Sequence, residues 1–458
     1  MAEDDDKLGS VGKGGRFFRL AGMTAAVASR YASTRLRTAF SSKEDKEKLR
    51  EDSHREMGQR IAKTLGELKG AAMKVGQMAS LNADLLPREL AQALRVLQRE
   101  APPLPFSVIE NMIEKEFGTS PFVLFRSFER EPFASASIGQ VHRAVVDDGR
   151  QVVVKVQYPG VDSSVDSDLS HLKLALRASG LLRINRKALD AVFGELRDRL
   201  HEELDYCNEA DNVRTFRDFH KRHDFVHVPE VVGERSSKRV LTLTYVPGDN
   251  INELDELDYP QEIRDQLGAN LYRLFFEQVF VLNALHADPN PANFAFRRDG
   301  SVVLYDFGCV KRLSPELVAL LAKILRQGVL EEYEALDQSL FDLGARVPGT
   351  APIDAAFYAA FRDPIAKPFL PRARFDYGSA HISEDIVKLW PMALRKLTSF
   401  QPAVDIMFVD RVAAGHYGNL KTIAPRGDFL TLIEPYLGLS GDEGQRLAAL
   451  RDAADADP

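Results

Sequence analysis

The stretch that decides the fold reads His286-Ala-Asp-Pro-Asn-Pro-Ala-Asn293, followed a short segment later by Tyr305-Asp-Phe-Gly308. Chemistry that moves a phosphoryl group needs a carboxylate beside the attacking group, an amide oxygen for one metal ion, and a second carboxylate for the metal that bridges the phosphates. Asp288, Asn293 and Asp306 supply those groups in that order. Asn293 to Phe307 has the pattern of a hairpin turning at Asp299-Gly300, with the metal residues at its two ends. Upstream, Val152-Val153-Val154-Lys155-Val156 is a strand by its β-branched content, and strand alternation sets Lys155 on the face opposite Val154 and Val156. These groups are expected to meet in one cleft around a metal-bound triphosphate.

Each piece alone is a weak signal. An Asp-Phe-Gly tripeptide arises by chance in unrelated chains, and a lysine in a valine-rich strand is more often a solvated edge residue. The order carries the argument: strand lysine, helical acid, hinge strand, Asp-x4-Asn, hairpin, Asp-Phe-Gly is the kinase sequence of parts. Three acids compete to hold Lys155, namely Glu203, Asp205 and Glu209 in Glu-Leu-Asp-Tyr-Cys-Asn-Glu-Ala. On an ideal helix Asp205 and Glu209 share a face and Glu203 points about 120° from Glu209, so one lysine cannot satisfy all three. Like charges at i,i+4 repel, so this helix is expected to face either water or the nucleotide. A second cation, Lys74, stands three residues before Gln77. The flanking Gly70 and Gly76 each cost a helix about 1 kcal/mol relative to alanine, which implies close packing of another segment.

The composition sets wider bounds. With 458 residues, 45% hydrophobic and 28% charged, the chain can fill two or three cores. A net charge of -7 argues against nucleic acid as a partner. Two cysteines, Cys207 and Cys309, make no disulfide framework and point to a reducing compartment. No apolar run approaches the roughly 18 to 20 residues that span a bilayer. Residues 1–15 read as a disordered leader, 16–124 as a helical N-terminal extension, 125–247 as a small β-rich lobe with a helical insertion, and 248–458 as a mostly helical lobe. The run Ala101-Pro-Pro-Leu-Pro105 cannot continue a helix and reads as a linker. Arg16 to Phe40 carries five arginines and no acid, fitting either an anionic membrane surface or packing on its own chain.

Three further motifs, Lys74-Val-Gly-Gln77, Glu203-Leu-Asp205 and Ala134-Ser-Ala-Ser-Ile-Gly-Gln140, give the chain, over roughly Lys43 to Leu437, a resemblance to the UbiB (aarF-type) family of atypical kinase-like proteins. The resemblance implies an α+β, two-lobed protein kinase-like fold with the helical extension packed over the active site and a mostly helical C-lobe. By that likeness Glu209 is the partner of Lys155, while Lys74, Gln77, Glu203 and Asp205 gate the pocket, Glu203 meeting Lys74. Ala134, Ser135, Ala136, Ser137, Lys155 and Tyr245 would bind ATP or ADP, with Mg2+ on Asn293 and Asp306 and Asp288 near the γ-phosphate. Alanines replace the usual glycines over the phosphates and narrow the backbone there, which is expected to shift nucleotide preference. Two positions depart from the family pattern: Asn290, where many relatives have histidine, and Ala292, where glycine is common.

Ser314-Pro-Glu316 follows Gly308 too closely for a peptide-docking segment and reads as a helix start. This argues against phosphorylating proteins in trans and for ATP hydrolysis or small-lipid chemistry. The likeness further implies a lipid or membrane surface and quinone-biosynthesis proteins as partners, with a cytoplasmic chain held peripherally at a bacterial-type inner membrane. A nucleotide-dependent scaffold that presents prenyl lipids without turnover fits the same motifs. A small-molecule phosphotransferase shares Asp-x4-Asn and Asp-Phe-Gly, but leaves Lys74-Val-Gly-Gln77 unexplained.

Overall fold

The computed structural model describes residues 103–136, 138–161, 165–179, 200–202, 204–370, 374–401 and 403–455, with residues 22, 26, 29, 56, 190, 193, 194 and 197. The chain divides into two compact units; the first runs to Asp211 and takes in Glu230–Tyr245, and the second comprises Asn212–Pro229 and everything from Val246.

In the first unit, helix α1 (Phe106–Phe117) buries Ile109, Met112 and Ile113 and ends at Gly118, whose φ of 72° admits the left-handed cap. Strands β1 (Ser127–Phe128), β2 (Ala134–Ala136), β3 (Gly139–Val145) and β4 (Gln151–Gln157) follow, then helices α2 (Val165–Ser179) and α3 (Tyr206–His220). The division between units falls within α3. After β5 (Val226–His227), which belongs to the second unit, β6 (Val240–Thr244) returns to the first. Its antiparallel sheet has the order β1-β3-β4-β6, with β2 also paired to β3. The expected alternation holds in β4: Val152, Val154 and Val156 are all but fully buried, and Lys155 faces the other way. A side chain at Gly139 would put its Cβ 2.2 Å from the carbonyl oxygen of Val156, so the β3–β4 approach requires glycine there. Leu104, inside the proline-rich linker, is fixed by Gln140, whose Oε1 accepts the Leu104 N–H at 2.9 Å.

The second unit contains helix α4 (Gln261–Phe280), strands β7 (Ala284–His286), β8 (Phe294–Phe296), β9 (Val302–Leu304) and β10 (Val310–Arg312), and then helix α5 (Pro315–Val329). The hairpin expected between Asn293 and Phe307 is β8–β9, with Gly300 at φ 82° in its turn and β5 added parallel to β9. Strands β7 and β10 pair antiparallel. Ser314 caps α5 by accepting the Leu317 N–H, as the sequence led us to expect. Helices α6 (Tyr333–Asp342), α7 (Ala355–Ile365), α8 (Ile382–Lys388), α9 (Trp390–Arg395) and α10 (Val404–Ile423) follow. One core joins α4, β7, α5 and α10 through Val279, Leu285, Ala287, Leu313, Val318, Val409 and Val412. No helix among the described residues is long and apolar enough to cross a membrane.

Candidate functional site

In the first unit Lys155 meets Glu209. The ammonium lies 2.9 Å from each carboxylate oxygen, with the lysine side chain 14% and the glutamate 4% exposed. Register explains the lysine: β4 sits between β3 and β6, with Lys155 opposite Val141 and Leu241. The first turn of α3 explains the glutamate. The approach of that helix is set by hydrogen bonds from the Gln157 side chain to the Leu204 carbonyl at 2.8 Å and from the Tyr206 N–H to the Lys238 carbonyl at 3.0 Å. The Tyr206 ring adds a cation–π contact 5.1 Å from the ammonium.

Asp205 corrects one expectation. It does not share a helical face with Glu209, because α3 begins one residue later at Tyr206. Its carboxylate accepts the Cys207 N–H at 3.0 Å and lies 3.7 Å from Lys238, so it caps the helix instead of competing for Lys155. Glu203, Lys74, Gln77 and Ser137 lie outside the described residues, as does the extension before residue 103 apart from the isolated positions above.

The alanine-rich segment forms strand β2, with Ala134 opposite Val141, Ser135 opposite Gln140 and Ala136 opposite Gly139. Cross-strand partners share a face, so Ala134 lies on the Lys155 face of the sheet, and Ala136 two residues on shares it. Tyr245 closes the neighbouring edge: its N–H donates to the Gln151 carbonyl, and its ring stands edge-on to Phe133 with centroids 6.0 Å apart. The Arg143 guanidinium lies 4.1 Å from the Phe133 ring centre and 5.2 Å from that of Tyr245. No motif marks Phe133 or Arg143, although strand parity alone places Arg143 on the face of Lys155.

In the second unit Asp288 and Asn293 occupy the loop after β7. Asp288 accepts the Asn290 N–H at 3.3 Å, and the Asn293 side chain donates to the Asp288 carbonyl, also at 3.3 Å. Asn290, one of the departures from the family pattern, accepts the Ala292 N–H at 3.0 Å and so caps the short turn Pro291–Asn293. The Tyr305 N–H donates to the Asn293 carbonyl at 2.8 Å, which ties the loop to the Asp306 segment. Asp306 itself has φ 47°, a left-handed conformation that costs a non-glycine residue about 1–2 kcal/mol. Its carboxylate accepts the Gly308 N–H at 3.1 Å.

Neighbouring groups fix that conformation. His286, almost fully buried, sets Nε2 at 2.8 Å from the Asp306 carbonyl and 3.1 Å from that of Tyr305, so this nitrogen carries the proton. Phe307 is fully buried between Phe216 and His286, with ring centroids 5.2 and 5.3 Å away, and the Asn212 side chain donates to its carbonyl at 3.1 Å. Helix α10 grips the Asp288 loop by its backbone. Arg411 donates to the Ala287 carbonyl and Asn419 to that of Pro289, both at 3.0 Å. A Cβ at Gly415 would lie 2.2 Å from Pro289 Cγ. Sequence reasoning missed Asn212, Phe216, Arg411, Gly415 and Asn419; the one available signal was a glycine in a helix interior.

Among the described residues no group of three or more His, Cys, Asp or Glu side chains could cage a metal. One carboxylate and one amide oxygen fit Mg2+, which takes few protein ligands and completes its shell with phosphate oxygens and water.

A five-stranded sheet carrying an ion-paired lysine, together with a unit holding Asp-x4-Asn and Asp-Phe-Gly on adjoining backbone, defines the protein kinase-like class. Residues 96–340 match the model of the ABC1 atypical kinase-like domain, and the chain belongs to that family, the UbiB group. It is 30% identical over 396 residues to the mitochondrial atypical kinase coq-8 of Caenorhabditis elegans, covering 84% of this chain and 52% of that protein. It is 34% identical over 308 residues to the chloroplastic Protein ACTIVITY OF BC1 COMPLEX KINASE 7 of Arabidopsis thaliana, covering 67% of this chain and 44% of the relative. The chain thus spans about half the length of the curated relatives it matches. Among solved structures, the Rv3197–erythromycin complex from Mycobacterium tuberculosis aligns with TM-score 0.57 and 29% identity, over 81% of this chain and 93% of that one.

Proposed function

We propose that the chain binds adenine nucleotide as its magnesium complex and turns it over, hydrolysing ATP or passing the phosphoryl group to a small lipid, in support of ubiquinone or other prenyl-lipid metabolism at a membrane surface. Lys155, oriented by Glu209, neutralises phosphate charge. Ala134, Ser135, Ala136, Ser137 and Tyr245 contact the nucleotide. Asp306 and Asn293 hold Mg2+, which supplies charge compensation on the phosphates when bound. Asp288 orients the attacking group and takes its proton. Lys74, Gln77, Glu203 and Asp205 gate access.

The observation that carries this reading is the buried pair of Lys155 and Glu209, with both carboxylate oxygens 2.9 Å from one ammonium. A lysine held this way has lost its rotamer freedom and presents a fixed charge, as phosphate binding requires. Names among the relatives, such as the atypical kinase coq-8, support the same chemistry. The start of α5 at Pro315, so soon after Gly308, leaves little chain for docking a peptide and favours water or a small lipid as acceptor.

The test combines thermal shift with ATP, ADP and Mg2+, singly and together, and phosphate release in the presence and absence of prenyl lipid. Joint stabilisation by ATP and Mg2+ with measurable turnover is expected. No shift and no turnover, with Asp306→Asn behaving as the unchanged chain, would remove the reading. Asp288→Asn separates turnover from binding: it should keep the thermal shift and lose phosphate release.

A further inference from the structure

One surface of the second unit has no part in the nucleotide reading. Helices α8 and α9 follow one another with only Leu389 between them, and Pro391 in the first turn of α9 removes an amide donor at the join. Of the twelve large hydrophobic side chains exposed among the described residues, five lie within Val387 to Leu397: Val387 at 60%, Trp390 at 55%, Met392 at 37%, Leu394 at 58% and Leu397 at 61%. A helix pair at a protein surface ordinarily turns such residues inward and polar ones outward. Here Ile386, Leu389 and Ala393 are half-buried, while Val387, Trp390, Met392, Leu394 and Leu397 are exposed to solvent.

The face is anchored at both ends. Upstream, Tyr377 and Ile382 are buried. Downstream, the fully buried Arg346 donates to the Ser399 carbonyl at 2.6 Å and to Asp337 at 2.7 Å, and the Val347 N–H donates to the same Ser399 carbonyl at 3.0 Å. The apolar display is therefore a built surface.

Its charge tells what covers it. From Ile386 to Phe400 the sequence carries Lys388, Arg395 and Lys396 and no acidic residue, in a chain of net charge -7. Glu384 and Asp385 open α8 just upstream, with Lys388 2.8 Å from Asp385 and Lys396 3.4 Å from Asp354, so along Ile382–Phe400 three cations stand against two acids, and the acids lie at its upstream end. Exposed aliphatic side chains around a tryptophan, rimmed by cations, match the boundary between headgroups and acyl chains, where the indole takes the interfacial level and the cations meet lipid phosphates.

We infer that Val387–Leu397 is a membrane-docking face, seating Val387, Trp390, Met392, Leu394 and Leu397 in the boundary layer of a bilayer that contains anionic lipid. This rests on the proposal that the protein works at a membrane surface, and it assigns the contact to the second unit instead of to Arg16 to Phe40. The face lies beyond the family match, which ends at residue 340.

Trp390 is the only tryptophan in the chain and serves as the reporter. The full chain is titrated with phosphatidylcholine vesicles with and without phosphatidylglycerol, and with vesicles brominated on the acyl chains, while flotation measures total binding. Expected are a saturable blue shift and quenching by brominated lipid with the anionic vesicles, weak on phosphatidylcholine alone and reduced by salt. Leu394→Ser with Leu397→Ser keeps the reporter and changes only exposed positions; it should weaken partitioning roughly tenfold or more at an unchanged melting temperature. Flotation with unchanged Trp390 emission would place the contact elsewhere and overturn the inference. So would a blue shift that rises with protein concentration without lipid and tracks dimer formation, and so would no vesicle binding at all. Nucleotide-induced thermal shift, measured separately, shows whether the nucleotide reading stands in each case.

Discussion

The two halves of the candidate chemistry are held in contrasting ways. Lys155 and Glu209 stand on regular elements, a central strand and the first turn of a helix, and their meeting follows from period-two alternation and a helix start. Asp288, Asn293 and Asp306 stand on loop and short-turn backbone outside the long helices and strands, Asp306 at positive φ, and their segments are held from a distance by His286, Asn212, Phe216 and α10. The first arrangement is sensitive to charge and tolerant of shape. The second is sensitive to shape at positions far along the chain from the candidate groups.

Asp306→Asn probes the second region most severely. Asparagine tolerates left-handed φ, so the fold should persist while turnover falls by about a thousandfold, roughly 4 kcal/mol of transition-state stabilisation. Phosphate release and a melting curve check both halves of that statement. The charge sensitivity of the first region shows in Glu209→Gln, which removes the charge of one member of a nearly buried ion pair and should cost about 3 kcal/mol in denaturant unfolding. Replacing both partners, Lys155→Met with Glu209→Leu, should recover most of that stability and abolish the nucleotide-dependent thermal shift.

Two glycines on α10 sharpen the contrast in shape. Gly415→Ala drives a Cβ into Pro289 and should destabilise by about 2 kcal/mol while lowering turnover, whereas a Cβ at Gly418 meets nothing within 4 Å. Gly418→Ala should therefore be neutral or stabilise by up to about 1 kcal/mol. Equal effects at both positions would show that the grip on the loop does not matter.

The smallest effect is a slope with pH. Burial pushes His416 and His220, both in the second unit, down from 6.5 to about 3, with the neighbouring His286 and His223 adding to the respective shifts. Each is neutral when folded and takes a proton when unfolded, so stability is complete above pH 6.5 and falls on acidification towards pH 3. Each histidine contributes about 1.4 kcal/mol per pH unit within that window. Urea unfolding at several pH values should show the loss, and His416→Phe should lower the slope by about 1.4 kcal/mol per pH unit.

What could be read from the chain was what is local. The β3–β4 hairpin, the turn at Gly300, the cap at Ser314 and the orientation of Lys155 follow from residues close in sequence. Asp205 was misread because an aspartate can sit within a helix or begin one, and the periodicity of flanking residues is the same in both cases. The hold of α10 on the Asp288 loop was invisible because carbonyl acceptors such as those of Ala287 and Pro289 have no sequence signature. The face at Val387–Leu397 was overlooked for a related reason: an apolar residue in a short helix does not reveal whether it points inward or outward.

The conformation of Asp306 has a consequence for which residues the position can accept. On the metal role proposed for Asp306, two independent filters act there, one on the side chain for an oxygen that can meet a divalent ion, the other on the main chain for tolerance of φ 47°. Glutamate passes the first and fails the second, and glycine does the reverse. Only asparagine comes near to passing both, so any library of variants at this codon should be almost empty of active members.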